Sequence, residues 1–149
     1  MIIYQNTTTG ISLGQLHGFF VGWPNPPSPE THLRILRGST IFELALDEQS
    51  SMVVGFVTAI SDGVSCAYIP HLEVLPAYQG RGIGTTIMTR LLARLREHYM
   101  VDLLCDPAVQ SFYASMGMQP AVGMYLRNYE HQAGIPQQAT AKGTEECVR

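Results

Sequence analysis

The chain has 149 residues, 46% of them hydrophobic and 14% charged, with a formal charge of −3, which suits one domain with an ordinary core. The small negative charge and the lack of a basic run argue against nucleic acid or an anionic membrane as partner. No stretch approaches the roughly 20 apolar residues of a membrane span, Met1–Tyr4 lacks a signal-peptide pattern, and Cys66, Cys105 and Cys147 form no Cys-x-x-Cys pair, so a cytoplasmic protein without disulfides is expected.

Taken in order, Ile2 to Gln5 reads as a short strand and Asn6 to Gly10 as a turn. Ile11, Leu13, Leu16, Phe19 and Phe20 recur at helical spacing and predict a helix, against which stand Gly10, Gly14 and Gly18. Trp23 to Pro29 contains four prolines, which fix φ and remove donors, so it is irregular. Ser28 as N-cap and Pro29 at the first helical position then start a second helix through about Arg37.

Ser39 to Leu46 and Ser51 to Ile60 are apolar and β-branched, and the polar turn Asp47-Glu48-Gln49-Ser50 joins them as strands. Asp62-Gly63 reverses the chain into Val64 to Leu75. Three antiparallel strands therefore run consecutively, and Pro76 closes the last of them.

Gly80, Gly82 and Gly84 follow at once. Bare glycines let a backbone approach a ligand and adopt dihedrals that a Cβ forbids. From Ile83 to Tyr99 the residues Ile83, Ile87, Met88, Leu91, Leu92 and Leu95 form one apolar stripe, so a long amphipathic helix starts in the glycines. Its N-terminus carries unpaired N–H groups and roughly half a positive charge, an anion site suited to a pyrophosphate. The spacing is neither a Walker loop nor a dinucleotide fingerprint. On the glycines alone, a strand-to-helix turn that binds nothing remains an equal reading.

Beyond the helix, Val101 to Cys105 is a strand and Ala108 to Met116 a helix. Met118 to Val122 and Met124 to Asn128 are two closing strands broken at Gly123, with Pro120 limiting the first to an edge or bulge. The order β-α-α-β-β-β-α-β-α-β-β describes an α/β layered domain over residues 1–128, with a mixed, mostly antiparallel sheet flanked by helices. Residues 129–149 lack periodicity and read as a poorly ordered tail or a surface strap. A homodimer contact through the closing strands or the tail is compatible with this pattern.

Val74-x-Pro76-x-x-Gln79-Gly80-Arg81-Gly82-Ile83-Gly84 resembles the acetyl-CoA motif of the GNAT superfamily of N-acetyltransferases. Asp102 to Pro107 and the segment Phe112-Tyr113 to Gly117-Met118 resemble that family's next strand and its "FYxxxGF" helix. The resemblance implies that acetyl-CoA is the co-substrate. Its pyrophosphate would lie on the amides of Gln79, Gly80, Arg81, Gly82, Ile83, Gly84 and Thr85, and its pantetheine along the backbone of Leu72 and Val74. Tyr113 falls where the family's general acid usually protonates the departing thiolate.

Acetyl transfer to an amine needs a base, a polarised carbonyl and an acid for the leaving group, with no covalent intermediate. At the positions where some family members carry Glu or His, this chain has Tyr68 and Pro70. The period of two puts His71 and Glu73 on one strand face, so Glu73 is the first candidate base and His71 the second. A hydrogen-bonded structural role stands open for both. Asp106 reads either as a group that orients acceptor or water, or as a helix N-cap before Pro107. Phe19, Phe20 and Trp23 fall in the region that walls the acceptor in this family, although core packing is the preferred reading of the two phenylalanines and an equal one for Trp23. His17, His32, His98 and His131 have no metal-ligand spacing, and no metal is expected. The implied reaction is acetylation of a primary amine in a ternary complex, with a small-molecule acceptor preferred over a protein N-terminus or lysine. A non-catalytic acyl-CoA-binding module is the competing class.

Overall fold

The computed structural model describes residues 1–138. Five strands form one sheet in sequence order: β1 (Ile2–Gln5), β2 (Ile41–Asp47), β3 (Val53–Ser61), β4 (Cys66–Val74) and β5 (Met100–Asp102). The first three pairings are antiparallel, and β4 pairs β5 in parallel. Helices α1 (Pro29–Gly38) and α2 (Ile83–Arg94) flank the sheet, and α3 (Gln110–Ala114) follows β5.

The two faces of the sheet bury different helices. Ala45, Val57, Ala59 and Ile69 pack with Ile83, Ile87, Met88 and Leu91 of α2, the stripe read from the sequence. Leu44, Val53 and Phe56 pack on the opposite side with Leu36 of α1 and with Ile11, Leu16, Phe19 and Phe20. Burial of each of the Val, Leu, Ile, Phe and Met side chains among them stabilises by about 1.5–3 kcal/mol. On the α2 side, Glu43 is fully buried and accepts from Arg90 Nε at 2.9 Å and Arg94 Nη1 at 3.1 Å. The pair ties α2 to the middle of β2.

Ser28 and Pro29 start α1 as read from the sequence, with Ser28 Oγ accepting the Thr31 N–H at 3.2 Å. Four expected elements differ. The helix expected over Ile11–Phe20 is only a 3-10 turn at Leu13–Leu16, because Gly18 (φ 90°) and Phe20 (φ 60°) both take left-handed backbone that an α-helix excludes. The helix expected to reach Tyr99 ends at Arg94; tight turns at Leu95 and His98, and a 2.9 Å bond between His98 Nε2 and Ser61 Oγ, bring the chain back to β5.

The two closing strands expected over residues 118–128 are absent, so the chain runs there without regular structure. Only three residues of β5 are paired, and Gly123 packs against the Leu104 side chain instead of extending the sheet. Of the tail, residues 129–138 form a short turn at Tyr129–His131, and Gln132 Oε1 accepts the Asn25 N–H at 2.9 Å. Residues 139–149 lie outside the described residues, so the reading of the tail is met there by no structure.

Candidate active site

The site begins where β4 leaves β5. Pairing with β5 covers only Cys66, Ala67 and Tyr68, and a bulge opposite Ala59 sets Ile69 and Pro70 against a single residue of β3. Among the described residues, the β4 edge from His71 to Val74 therefore has no strand neighbour on that side. The outward N–H groups of Leu72 and Val74 and the Leu72 C=O are open there to an extended ligand, while the Val74 C=O accepts from Gln79 Nε2.

Past Val74 the chain makes a 3-10 turn at Pro76–Tyr78 and enters the glycine loop. Gly80 (φ 73°) and Gly82 (φ 76°) hold left-handed backbone, and a Cβ built on either would meet nothing within 4 Å. The space over the loop is open, as a cradle for a ligand requires. Gly84 serves differently: its Cβ would lie 3.5 Å from Val74 Cγ2 and 3.8 Å from the Phe112 ring, so its bareness lets α2 approach β4 closely. Among the described residues no side chain caps α2. The N–H groups of Ile83, Gly84 and Thr85 in its first turn are thus available to an anion.

Gln79 and Arg81 shape this loop with their side chains. Gln79 Nε2 donates to Val74 O at 2.9 Å, and Arg81 Nη2 donates to Ala77 O at 3.0 Å while its guanidinium lies 5.0 Å from the Tyr78 ring. Tyr78 in turn donates to Asp47 Oδ2 at 2.8 Å. The Gln79 N–H donates to Pro76 O at 3.3 Å, so of the amides expected at a ligand those of residues 80–85 are the ones left to it.

Tyr113 lines a cavity of about 1220 Å³ together with Tyr68, Leu103, Cys105 and Met118. Burial, and beyond it the neighbouring Cys105, raise its phenol above the usual value. Tyr113 therefore keeps its proton at neutral pH. Asp106 is exposed and precedes the turn Pro107–Val109; among the described residues its side chain makes no cap, and its carbonyl accepts the Val109 N–H at 3.0 Å.

The two base candidates do share a strand face, and the structure gives them different partners. Glu73 Oε2 accepts the Phe20 N–H at 2.8 Å and Oε1 the Val21 N–H at 3.1 Å. Each carboxylate oxygen thus holds one amide of the loop before α1, and this clamp secures the left-handed backbone of Phe20. His71 Nδ1 lies 3.0 Å from Thr58 Oγ1, and burial lowers its pKa. The imidazole is therefore neutral at physiological pH. Phe20 stands edge-on to His71 with centroids 5.9 Å apart, and Trp23 lies 5.0 Å from Phe20. An aromatic wall thus adjoins the base candidates.

Two participants escaped the sequence reading. Thr58 is a fully buried polar residue in the apolar strand β3, and only the strand register reveals its partner, His71. His32, on α1, is 1% exposed among Phe19, Phe20 and Phe56, with both ring nitrogens lacking a hydrogen-bond partner among the described residues. Its helical position gave no sign of that enclosure.

Comparison with known proteins agrees with this architecture. The model of the acetyltransferase (GNAT) family matches residues 13–118. An uncharacterized N-acetyltransferase, ycf52, of the red alga Porphyra purpurea is 31% identical over 120 residues, covering 77% of this chain and 69% of its own. Serotonin N-acetyltransferase 2, chloroplastic, of Oryza sativa subsp. japonica is 33% identical over 118 residues, covering 76% of this chain and 59% of its own. The crystal structure of a candidate acetyltransferase from Deinococcus radiodurans R1 superposes with a TM-score of 0.89 at 48% identity, covering 91% of this chain and 94% of that one. An uncapped helix behind an open glycine cradle, a splayed strand pair and a protonated tyrosine are what acetyl transfer from acetyl-CoA asks of a fold, and the chain belongs to the GNAT family of N-acetyltransferases.

Proposed function

We propose that this N-acetyltransferase moves acetyl from acetyl-CoA directly to the primary amine of a small molecule within one ternary complex. The observation that carries the reading is the splay of β4 from β5, with the glycine cradle beyond the end of β4 and the buried Tyr113 beside β5. The amides of residues 82–85 would hold the pyrophosphate, and the free edge from His71 to Val74 would take the pantetheine, with an N–H near Val74 polarising the carbonyl.

In this reading His71 is the base and Glu73 the clamp of the acceptor loop, because both Glu73 oxygens already hold amides. With Nδ1–H donating to Thr58 Oγ1, the Nε2 lone pair of His71 accepts the proton of the attacking amine. As the new C–N bond forms, the C–S bond breaks, and Tyr113 gives its proton to the departing sulfur. A neutral imidazole and a neutral phenol are the two states this sequence needs, and burial favours both.

Trp23, 40% exposed and packed on the buried Phe20 beside His71, supports an aromatic alkylamine as acceptor, since an indole face suits both an aryl group and a cationic amine. The rice relative's name points to the same class. The test is thiol release from acetyl-CoA against serotonin, tryptamine, phenethylamine, spermidine, an aminoglycoside and a lysine peptide. The proposal expects the arylalkylamines to give the highest kcat/KM. A lysine peptide ahead of every small amine would refute the small-molecule assignment.

A further inference from the structure

Residues 132–134 return the chain to the acceptor side of the site. Gln132 Oε1 accepts the N–H of Asn25, two residues beyond Trp23, at 2.9 Å. A Cβ on Gly134 would meet Thr31 Cγ2 at 2.8 Å, so its bare backbone lies directly on the first turn of α1. The turn Tyr129–His131 and a 2.9 Å bond from the Gly134 N–H to His131 O brace this strap. Among the described residues, 135–138 make no backbone hydrogen bond to the rest of the chain, and Ile135 is largely exposed. A few residues further on stands Lys142, the sole lysine of the sequence.

We infer that Lys142 is itself an acetyl acceptor, modified in cis by the chain's own site. The inference rests on the transfer reaction proposed above. Reach is sufficient: the residues from Gln132 to Lys142 span up to roughly 33 Å when extended. The way from Asn25 to His71 is short, through Trp23 and Phe20, with ring centroids 5.0 and 5.9 Å apart at the two steps. The sequence around the lysine also suits a narrow aromatic entry. Ala141 and Gly143 flank it, and residues 139–144 carry no other charge, so the side chain enters beside Trp23 without stripping water from a second ion. Tethering supplies the rest. An acceptor held by a short linker faces the site at roughly millimolar concentration, so Lys142 can be acetylated where a free lysine peptide is a poor substrate.

The step balances as amine acetylation. The neutral Nζ of Lys142 attacks the thioester carbonyl, the C–N bond forms as the C–S bond breaks, His71 Nε2 takes a proton from Nζ, and Tyr113 gives its proton to sulfur. An uncharged amide is left on the tail and a free thiol on CoA.

The full chain is incubated with acetyl-CoA alone, peptide mass mapping reads the product, and turnover of the amine panel is measured on the same batch. The expected result is one acetyl group on Lys142, formed at a first-order rate that dilution of the protein does not change and that an arylalkylamine slows by competition. Lys142→Arg should remove it and leave small-amine turnover intact. Gln132→Ala shifts the anchor back toward Met118, lengthens the tether more than twofold and should slow the modification roughly threefold, again with small-amine turnover intact. Tyr113→Phe should slow both reactions together. An unmodified Lys142 in a batch that acetylates small amines would overturn this inference alone, whereas no product on either would overturn the proposed reaction with it. A rate that rises with protein concentration, or one untouched by Tyr113→Phe or by Gln132→Ala, would also overturn it, since transfer would then be in trans, uncatalysed or independent of the strap.

Discussion

His32 makes the protein sensitive to acid in a way that one substitution isolates. Burial, assisted by the nearby His71, lowers its pKa from 6.5 to about 4. In the unfolded chain the ring takes a proton near pH 6.5; in the folded protein it resists until about pH 4. Across that window the unfolded state binds more protons, so stability rises with pH, is complete above about 6.5 and falls away as pH drops. At roughly 1.4 kcal/mol per pH unit the loss is on the order of 3 kcal/mol, or about 6–12 °C in Tm for a domain of this size. His71, lowered by its own burial, acts in the same direction, and the hydrogen-bonded carboxylates Asp47 and Asp62, both lowered, act at lower pH. The comparison that removes them is His32→Leu, which retains the fill of the aromatic cage and deletes two unpartnered nitrogens. Thermal unfolding from pH 7.5 to 4 should show a shallower acid limb for the variant and a Tm at pH 7.5 no lower than that of the parent. Superimposable acid limbs would refute the reasoning, because the ring would then be hydrated or paired in solution.

Three further substitutions test the site and its support. Tyr113→Phe should lower kcat by roughly 100-fold, the lower range for a general acid, while the acetyl-CoA Kd from calorimetry stays within about twofold; unchanged turnover would remove Tyr113 as the acid. Gly82→Ala places a Cβ on left-handed backbone in an open cradle, so unfolding should cost about 1–2 kcal/mol less and acetyl-CoA should bind at least about tenfold more weakly; full affinity would show that the ligand does not lie over that loop. Glu43→Ala strands Arg90 and Arg94, whose side chains are 45% and 37% exposed and can rehydrate. Its expected cost in urea unfolding is about 3 kcal/mol, the lower end for a broken buried pair, and a loss below about 0.5 kcal/mol would mean that α2 is held by its apolar stripe alone.

The parts of the fold legible in the sequence are those fixed by short-range rules. Ser28-Pro29 starts a helix because an N-cap oxygen and a ring without N–H suit its first turn. Asp62-Gly63 turns the chain because Asp62 Oδ1 accepts the N–H groups of Val64 and Ser65 and Gly63 takes φ 75°. The glycine loop was legible because two of its residues need positive φ and the third needs close packing. What failed depended on distant partners. The helical spacing of Ile11 to Phe20 is real, yet Gly18 and Phe20 take left-handed backbone, and Glu73, more than fifty residues away, holds the amides of Phe20 and of Val21 just beyond it. The strand-like run from Met118 to Asn128 has the composition of a closing strand but finds only a three-residue β5 and Leu104 beside it. Glu73 and His71 were correctly placed on one face, while their separate roles depend on the loop amides and on Thr58, neither of which period-two reasoning reveals.

The central claim, an acetyl-CoA site at the glycine loop that serves transfer to an amine, is tested most directly on one sample. Thermal unfolding is measured with and without acetyl-CoA, and thiol release against the amine panel follows. Ligand at about one hundred times its Kd should add roughly 2.7 kcal/mol, or about 5–10 °C, and thiol should then appear in proportion to an arylalkylamine. An unchanged Tm at saturating acetyl-CoA, with no thiol released for any amine, would contradict the account at its foundation.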